Sequence, residues 1–320
     1  GSLPDKDTIV DRNIKPMYQD EFILGVDHAL SKDYRVGVRG TYRELKSTMD
    51  DMIIDHALTK YAQDVLGIAD ADFYDYYHYV LGNPGSGMHT AWDFEDGNGT
   101  VPVYLTPEML GYTEGIRKYA ALELFFEKVW DGKWSLQVSY TWSQNYGNTE
   151  GWVLSDNDQT DAGMTVQFDT PDLQRNSYGY LANDRRHAFK FFGSYAITDE
   201  LLVGFNGRLT SGRGLNKIGW YNDSVVGTGY ENNYYLTPRG KAGRMDWTFE
   251  NDLSLRYTPA WSKKRLALQL DIFNVLNLQA VTERVETAQI DLSGTGDATY
   301  MLPYSWQTPR RVQFSASYGF

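Results

Sequence analysis

Apolar and polar residues alternate along much of this chain with a period of two, the spacing of a β-strand that has one apolar and one polar face. The segment Trp134–Ser143 is the clearest example, because every second residue from Trp134 to Trp142 is apolar or aromatic and the residues between them are Ser, Gln or Thr. Eight other segments alternate in the same way, beginning near residues 22, 34, 120, 187, 201, 247, 266 and 312. The pattern predicts nine strands of about 10–13 residues, long enough for a tilted strand to cross a bilayer and longer than the strands of a soluble sandwich.

The connections between these strands are short and long in strict alternation. The short ones cover residues 31–33, 131–132, 198–200 and 258–264, and the long ones run roughly over 46–116, 144–184, 211–244 and 278–309. In an up-and-down barrel, alternate connections lie on the same side of the membrane. Bacterial outer-membrane barrels have short periplasmic turns and long outer loops. The sequence therefore predicts an all-β, transmembrane, antiparallel up-and-down β-barrel with long extracellular loops.

The last strand of this arrangement runs towards the periplasm and ends at Phe320, with Tyr318 two residues before it. These two residues are candidates for the aromatic signal with which outer-membrane barrels end. Nine is an odd number of strands, whereas bacterial single-chain barrels close with an even number. An open sheet would leave two unpaired edges in lipid. We therefore expect the nine strands to be part of a larger barrel.

Composition agrees with a membrane barrel. Aromatic residues make up 15% of the 320 residues, including 24 Tyr and 9 Trp, as is typical of proteins at a lipid–water boundary. No run of about 18 consecutive apolar residues exists, which excludes a transmembrane helix. The net charge of −12 argues against a nucleic-acid partner, because phosphates require clustered Lys and Arg. Outer-membrane lipid is the partner that the composition favours.

Several motifs carry a resemblance to a known family. They are the segment 11–21 (DRNIKPMYQDE), Ser139–Ser143 (SYTWS), Asn183–His187 (NDRRH), Asp271–Asn277 (DIFNVLN) and Pro309–Phe314 (PRRVQF). Together they resemble the barrel of Oar-like TonB-dependent transporters over essentially the whole chain. The resemblance implies a Gram-negative outer-membrane receptor with a plugged barrel of about 22 strands. Residues 1–320 would then be the C-terminal part of its barrel domain, without the plug, the TonB-box and the N-terminal strands.

The function that the resemblance implies is TonB-dependent transport of a large or scarce substrate across the outer membrane, with no enzymatic activity. The implied partners are the protein's own plug domain, the TonB energy-coupling complex, the barrel assembly machinery and outer-membrane lipid. Two alternatives remain open at this point. A passive channel or adhesion barrel would lack a plug and a TonB-box, and a small outer-membrane hydrolase would pair His187 with Asp184 or Ser177 at the outer rim.

Candidate functional residues lie on the polar face of the strands and in the outer loops. On the polar face, charged and amide side chains are expected to contact the plug or line the path, with hydration and cross-strand ion pairing as the alternative. These lumen-lining candidates are Arg35, Arg39, Arg43, Lys190, Arg208, Glu250, Asp252, Gln269 and Asp271.

The long loops contribute aromatic and acidic candidates. Tyr76, Tyr77 and Trp92 are suited to stacking on sugar rings or clasping a peptide, and packing of the loop is the alternative. Asp156, Asp158 and Asp161 have the alternating spacing that calcium favours, with a solvated acidic loop as the alternative; no other cofactor is expected. Residues 49–66 have mixed helical spacing, which predicts a helix capped by Thr48.

Overall fold

Nine long strands form one antiparallel sheet in chain order in the computed structural model, which describes residues 6–74, 77–95, 97–220 and 233–319. Each strand pairs with its neighbours in the sequence, so the up-and-down connection is confirmed. The strands are β1 (Tyr18–Ala29), β2 (Tyr34–Lys46), β3 (Arg117–Lys128), β4 (Trp134–Gly147), β5 (His187–Ala196), β6 (Leu201–Thr210), β7 (Thr248–Tyr257), β8 (Leu266–Phe273) and β9 (Arg311–Tyr318).

The predicted connections are also confirmed. Four inner turns join the strands at residues 30–33, 129–133, 197–200 and 258–265, the last including a short 3-10 helix at Ala260–Ser262. Four outer loops cover residues 47–116 (loop 1), 148–186 (loop 2), 211–247 (loop 3) and 274–310 (loop 4). The strands are 8 to 14 residues long, so the last two are shorter than predicted. Within the described residues, β1 pairs only with β2 and β9 only with β8.

The strand register turns the sequence alternation into two continuous faces, because antiparallel partners in register point to the same side of a sheet. One row across the polar face contains Asp27, Gly37, Phe125, Ser139, Lys190, Arg208 and Glu250. The adjacent row across the apolar face contains Val26, Val38, Leu124, Tyr140, Phe189, Leu209 and Phe249. The apolar face is the side that meets lipid in an outer-membrane barrel.

The polar face also holds four aromatic side chains, Tyr119, Phe125, Phe192 and Phe273. Phe125 lies over Gly37, its register partner on β2. A Cβ atom at Gly37 would come within 2.4 Å of the Phe125 ring and 2.6 Å of the Asp27 carboxylate. Phe192 lies on the same face, opposite Gln137 and exposed. Glycine is therefore required at residue 37 to seat the aromatic ring.

The outer loops carry most of the buried apolar core. Loop 1 contains two hairpins, Asp50–Ile53 with Tyr79–Gly82 and Met88–Asp93 with Thr100–Leu105. It also contains helices Asp55–Asp64 and Pro107–Leu110, and a third short helix, Lys6–Ile9, precedes β1. Leu58, Val80, Leu105 and other loop 1 residues form one core that also includes Phe168 of loop 2. Loop 1 is thus a folded cap.

The helix predicted over residues 49–66 is shorter than expected. Residues 50–53 form a strand, and the helix begins at Asp55 after Ile54. Thr48 does not cap it, because the Thr48 hydroxyl donates to the Gly115 carbonyl. Pairing of residues 50–53 with Tyr79–Gly82 outweighs the local helical spacing.

Loops 2 to 4 contain short elements that pair with one another or with the sheet. The 3-10 helices are Ser155–Asn157, Val166–Phe168 and Pro171–Gln174 in loop 2. The short strands are Gly179–Tyr180 on β4, Gly214–Leu215 with Gly243–Arg244, Ile218–Gly219 with Tyr234–Tyr235, and Val281–Arg284 with Pro303–Trp306. Every helix in the part of the chain that is described is too short or too polar to span a bilayer, a finding that does not bear on β-barrels.

Candidate functional site

All nine lumen-lining candidates lie on the polar face of the sheet, but they are not equivalent. Arg35 pairs with Glu127 at 2.5 Å and Arg43 with Glu21 at 2.8 Å, in each case the register partner on the next strand. Arg39 approaches Glu123 at 3.9 Å. The arginine column of β2 is therefore neutralised by the acids of β1 and β3, as the ion-pairing alternative predicts.

The charges of β5 to β8 are arranged differently. Lys190 and Arg208 are direct register partners of like charge, and Glu250 is the next partner of Arg208. Asp252 accepts hydrogen bonds from the Asn206 amide at 3.2 Å and from the Asn274 backbone at 3.0 Å. These groups face the lumen side at the level where loop 4 leaves the sheet.

The remaining two candidates, Gln269 and Asp271, are neighbours on β8. The Gln269 amide donates to both Asp271 carboxylate oxygens at 3.0 Å. The two side chains are therefore hydrogen-bonded to each other along the strand.

A cavity of about 440 Å³ opens over this part of the polar face. A second cavity of about 670 Å³ lies between loops 2, 3 and 4. Arg185 lines both cavities, so they are neighbours. The first cavity is also lined by Arg208, Glu250, Asp252, Trp306 and Arg311. The second is also lined by Asp158, Arg213, Glu283, Arg284 and Tyr304.

The three loops around the second cavity are joined by a buried ionic network. Arg239 of loop 3 is fully buried and contacts Glu150 and Asp156 of loop 2, each at 2.6 Å. The Tyr235 hydroxyl donates to Asp156 at 2.8 Å. Burial alone would lower the pKa of Arg239, but the attraction of Asp156 and Glu150 outweighs it and the pKa is raised. The guanidinium stays charged and clamps loop 3 to loop 2.

Loop 4 joins the same network through Arg213. This residue of loop 3 pairs with Glu283 and Glu286 of loop 4, both at 2.5 Å. The backbone amide of Asn216 donates to Glu286, and its side-chain amide donates to Asp156. The outer rim of the cavity is therefore held by residues of three different loops.

The acidic candidates do not form a metal site in this arrangement. Asp156 is bound by Arg239, as described above, while Asp158 ends a 3-10 turn in a left-handed conformation and Asp161 is exposed. No three His, Asp or Glu side chains in the described ranges are grouped as a metal site requires. The cation that meets Asp156 is an arginine of the protein itself.

The aromatic candidates of loop 1 have separate environments. Trp92 packs against the rings of Phe73 at 5.9 Å and His78 at 4.7 Å, which matches the packing alternative. Tyr77 is exposed, and Tyr76 lies outside the described residues. Tyr318 is exposed at the end of β9, and Phe320 lies outside the described residues.

The His, Asp and Ser side chains that a hydrolase would use bind other partners in the structure. His187 Nδ1 is 2.8 Å from the Tyr140 hydroxyl, and its ring stacks on Trp247. The Asp184 carboxylate is held by Arg244 at 2.6 Å and Arg186 at 3.2 Å. His187, Asp184 and Ser177 therefore do not form a catalytic set, since the Ser177 hydroxyl donates to the backbone in its own turn.

Sequence reasoning missed the residues that organise the outer site. Three of these residues, Arg185, Arg213 and Arg239, lie in loops whose sequence has no periodic alternation of apolar and polar residues. Their partners are up to 89 residues away in the sequence. Phe125 and Phe192 were missed because they occupy polar positions of alternating strands. The one signal in the sequence that could have located Phe125 on the polar face is the glycine, Gly37, at the facing position of the neighbouring strand.

Comparison with known proteins supports the resemblance. No family model matches the chain. The TonB-dependent transporter Oar of Myxococcus xanthus is 25% identical over 98% of this chain and 29% of its own length. The structure of the outer-membrane transporter YddB from Escherichia coli matches with a TM-score of 0.52 and 14% identity, over 96% of this chain and 33% of that one. The chain therefore spans about a third of the length of the proteins that it matches.

These similarities confirm several predictions. The chain resembles an Oar-like TonB-dependent transporter, it has the fold of part of an outer-membrane β-barrel, and its location is the bacterial outer membrane. The matched proteins are transporters rather than enzymes, in agreement with the predicted absence of an enzymatic role.

Proposed function

We propose that the chain forms part of the wall and the outer cap of a transporter that moves a large or scarce substrate across the outer membrane with energy from TonB. The similarity to Oar supports this proposal. The observation that carries it is that a cavity among the loops and a cavity on the polar face lie next to each other, with Arg185 in the wall of both. A substrate bound among the loops would therefore lie next to the polar face of the sheet.

The polar face of β5 to β8 is the proposed contact surface for the plug domain. Lys190, Arg208, Glu250 and Asp252 present charges of both signs within two register rows. A plug that fills the lumen would place its own polar groups against them. The arginine column of β2 is already paired with acids, so we assign it a structural role in the wall.

Bilayer conductance of the full-length natural protein distinguishes transport from a passive channel. A plugged barrel is expected to carry no steady ion current, and the protein is expected to bind the purified periplasmic domain of TonB. A steady current together with no TonB binding would overturn the proposal and favour the passive channel or adhesion barrel.

A variant connects the test to the site. Arg185→Ala removes the side chain that lines both cavities and is expected to lower substrate-dependent TonB binding without opening the barrel. Arg35→Ala is the matched control, because Arg35 lies on the same face in a wall ion pair. Equal effects of the two substitutions would contradict the assigned role of Arg185.

A further inference from the structure

A cluster of cations surrounds one tyrosine ring at the outer rim of the sheet. Arg186 Cζ lies 5.0 Å, Arg244 Cζ 5.3 Å and Lys241 Nζ 5.8 Å from the centroid of the Tyr180 ring. These three cations and the Tyr180 ring are here called the Tyr180 patch. Cations over an aromatic face are attracted by the ring quadrupole, which explains how three of them gather at one ring.

The register places this patch on the lipid side of the wall. Tyr180 is the register partner of Tyr146 on β4. Tyr146 lies on the same face as Tyr140 and Trp142, since all three are an even number of residues apart on one strand. That face is the apolar face of the sheet. The Tyr180 patch therefore points outward rather than into the lumen.

Its height above the membrane follows from the strand geometry. Tyr146 is four residues beyond Trp142 towards the outer loops. Four residues span about 13 Å along a strand, or about 9 Å along the membrane normal at a tilt near 45°. Trp142 is at the outer end of the apolar band, where aromatic girdles meet the headgroups. The patch is therefore at the level of the outer-leaflet headgroups.

Among the described residues, one carboxylate is paired with the cations of the patch. Arg186 and Arg244 share a single buried carboxylate, Asp184. Lys241 is exposed, and among the described residues no carboxylate lies within ion-pairing distance of it. Three cations with one carboxylate leave a positive excess. Asp184 also holds both guanidinium groups in place, so the patch is fixed before any ligand arrives.

We propose that the Tyr180 patch binds a phosphate group in the headgroup of an outer-leaflet lipid. Phosphate is the headgroup chemistry that clustered Arg and Lys recognise through charge-assisted hydrogen bonds. Tyr178 and Tyr146 extend the patch as an edge-to-face pair with ring centroids 4.8 Å apart, and amphipathic rings suit the boundary between acyl chains and headgroups. The site is separate from the lumen and does not depend on energy coupling.

The test measures lipid binding to the full-length protein by native mass spectrometry after detergent release. Diphosphorylated lipid A is the probe, and the same lipid without phosphates is the comparison. Wild-type protein is expected to retain the phosphorylated lipid selectively. Lys241→Glu reverses an exposed charge and is expected to weaken this binding about tenfold or more, because each basic side chain near an anionic headgroup contributes measurably.

Lys32→Glu is the matched control, because Lys32 is an exposed lysine in an inner turn on the opposite side of the membrane; Lys241→Arg is expected to retain binding. Equal retention of the lipid without phosphates would overturn the proposal. So would an equal loss in Lys32→Glu, or binding of inorganic phosphate that depends on Lys241 while the lipid does not bind.

Discussion

Removal of Arg239 tests the idea that a buried ionic network holds the outer loops together. Its guanidinium is fully buried and contacts Glu150 and Asp156, whose side chains are also almost fully buried. Arg239→Met leaves two buried carboxylates without a cation. Breaking a buried ion pair by removing one partner costs about 3–5 kcal/mol. The cost falls on the contact between loops 2 and 3, because β4 to β7 keep their own backbone ladder.

Hydrogen exchange of the full-length protein in detergent measures this effect directly. A local cost of about 3–5 kcal/mol corresponds to exchange that is faster by roughly two to three and a half orders of magnitude at the amides of loops 2 and 3, while amides of the sheet are unchanged. Arg284→Met is the control, because the Arg284 ion pair with Asp246 is long, at 3.8 Å, and partly exposed, and is worth less than about 1 kcal/mol. Loop protection equal to that of the wild type in Arg239→Met would refute the clamping role.

Three further predictions concern the wall and the cap. Gly37→Ala forces a Cβ against the Phe125 ring and should lower the free energy of unfolding from lipid by about 1–3 kcal/mol, measured by urea titration. Gly40→Ala, whose added Cβ meets no atom closer than 3.8 Å, should lower it by less. Leu124→Arg on the apolar face should cost about 2–4 kcal/mol in the same titration if it lies near the bilayer midplane. Burial raises the pKa of Asp50 to about 7, above its value of 3.8 in the unfolded loop. At a pH between these two values, the folded cap therefore keeps a proton on Asp50 that the unfolded loop has released. Cap stability should fall as pH rises from about 4 to 7 and level off above. Asp50→Asn should reduce this dependence of loop 1 hydrogen exchange, and the remainder should come from Asp51 and Asp55, whose pKa burial also raises; a cap equally stable across that range in the wild type would contradict the burial argument.

The sheet was predictable from the sequence because each strand carries its own signal. The segment Trp134–Ser143 alternates without exception, and its two faces are those of β4 in the structure. The alternating lengths of the connections gave the side of the membrane on which each loop lies. Both signals are local, so they survive without knowledge of the tertiary contacts.

The cap was less predictable because its contacts are distant in sequence. Residues 50–53 belong to a region with helical spacing, yet they form a strand, and the Asp50 carboxylate accepts from Thr165 of another loop. Arg239 offers no pattern that distinguishes it from an exposed loop arginine. The acidic spacing at Asp156 predicted a cation, and the structure places Arg239 there instead. Phe125 was hidden because a single aromatic residue at a polar position does not change the period.

The central claim is that alternate residues of β4 face lipid and lumen in the outer membrane. Nitroxide labels at each position from 136 to 143 of the full-length protein in liposomes test it most directly; residues 1–320 contain no cysteine, and any cysteine elsewhere in the protein is replaced first. Labels at even positions should be accessible to oxygen dissolved in lipid and shielded from an aqueous nickel chelate, and labels at odd positions should not show this lipid accessibility. Accessibility to the aqueous reagent at the even positions, or a period near 3.6 residues, would contradict the account.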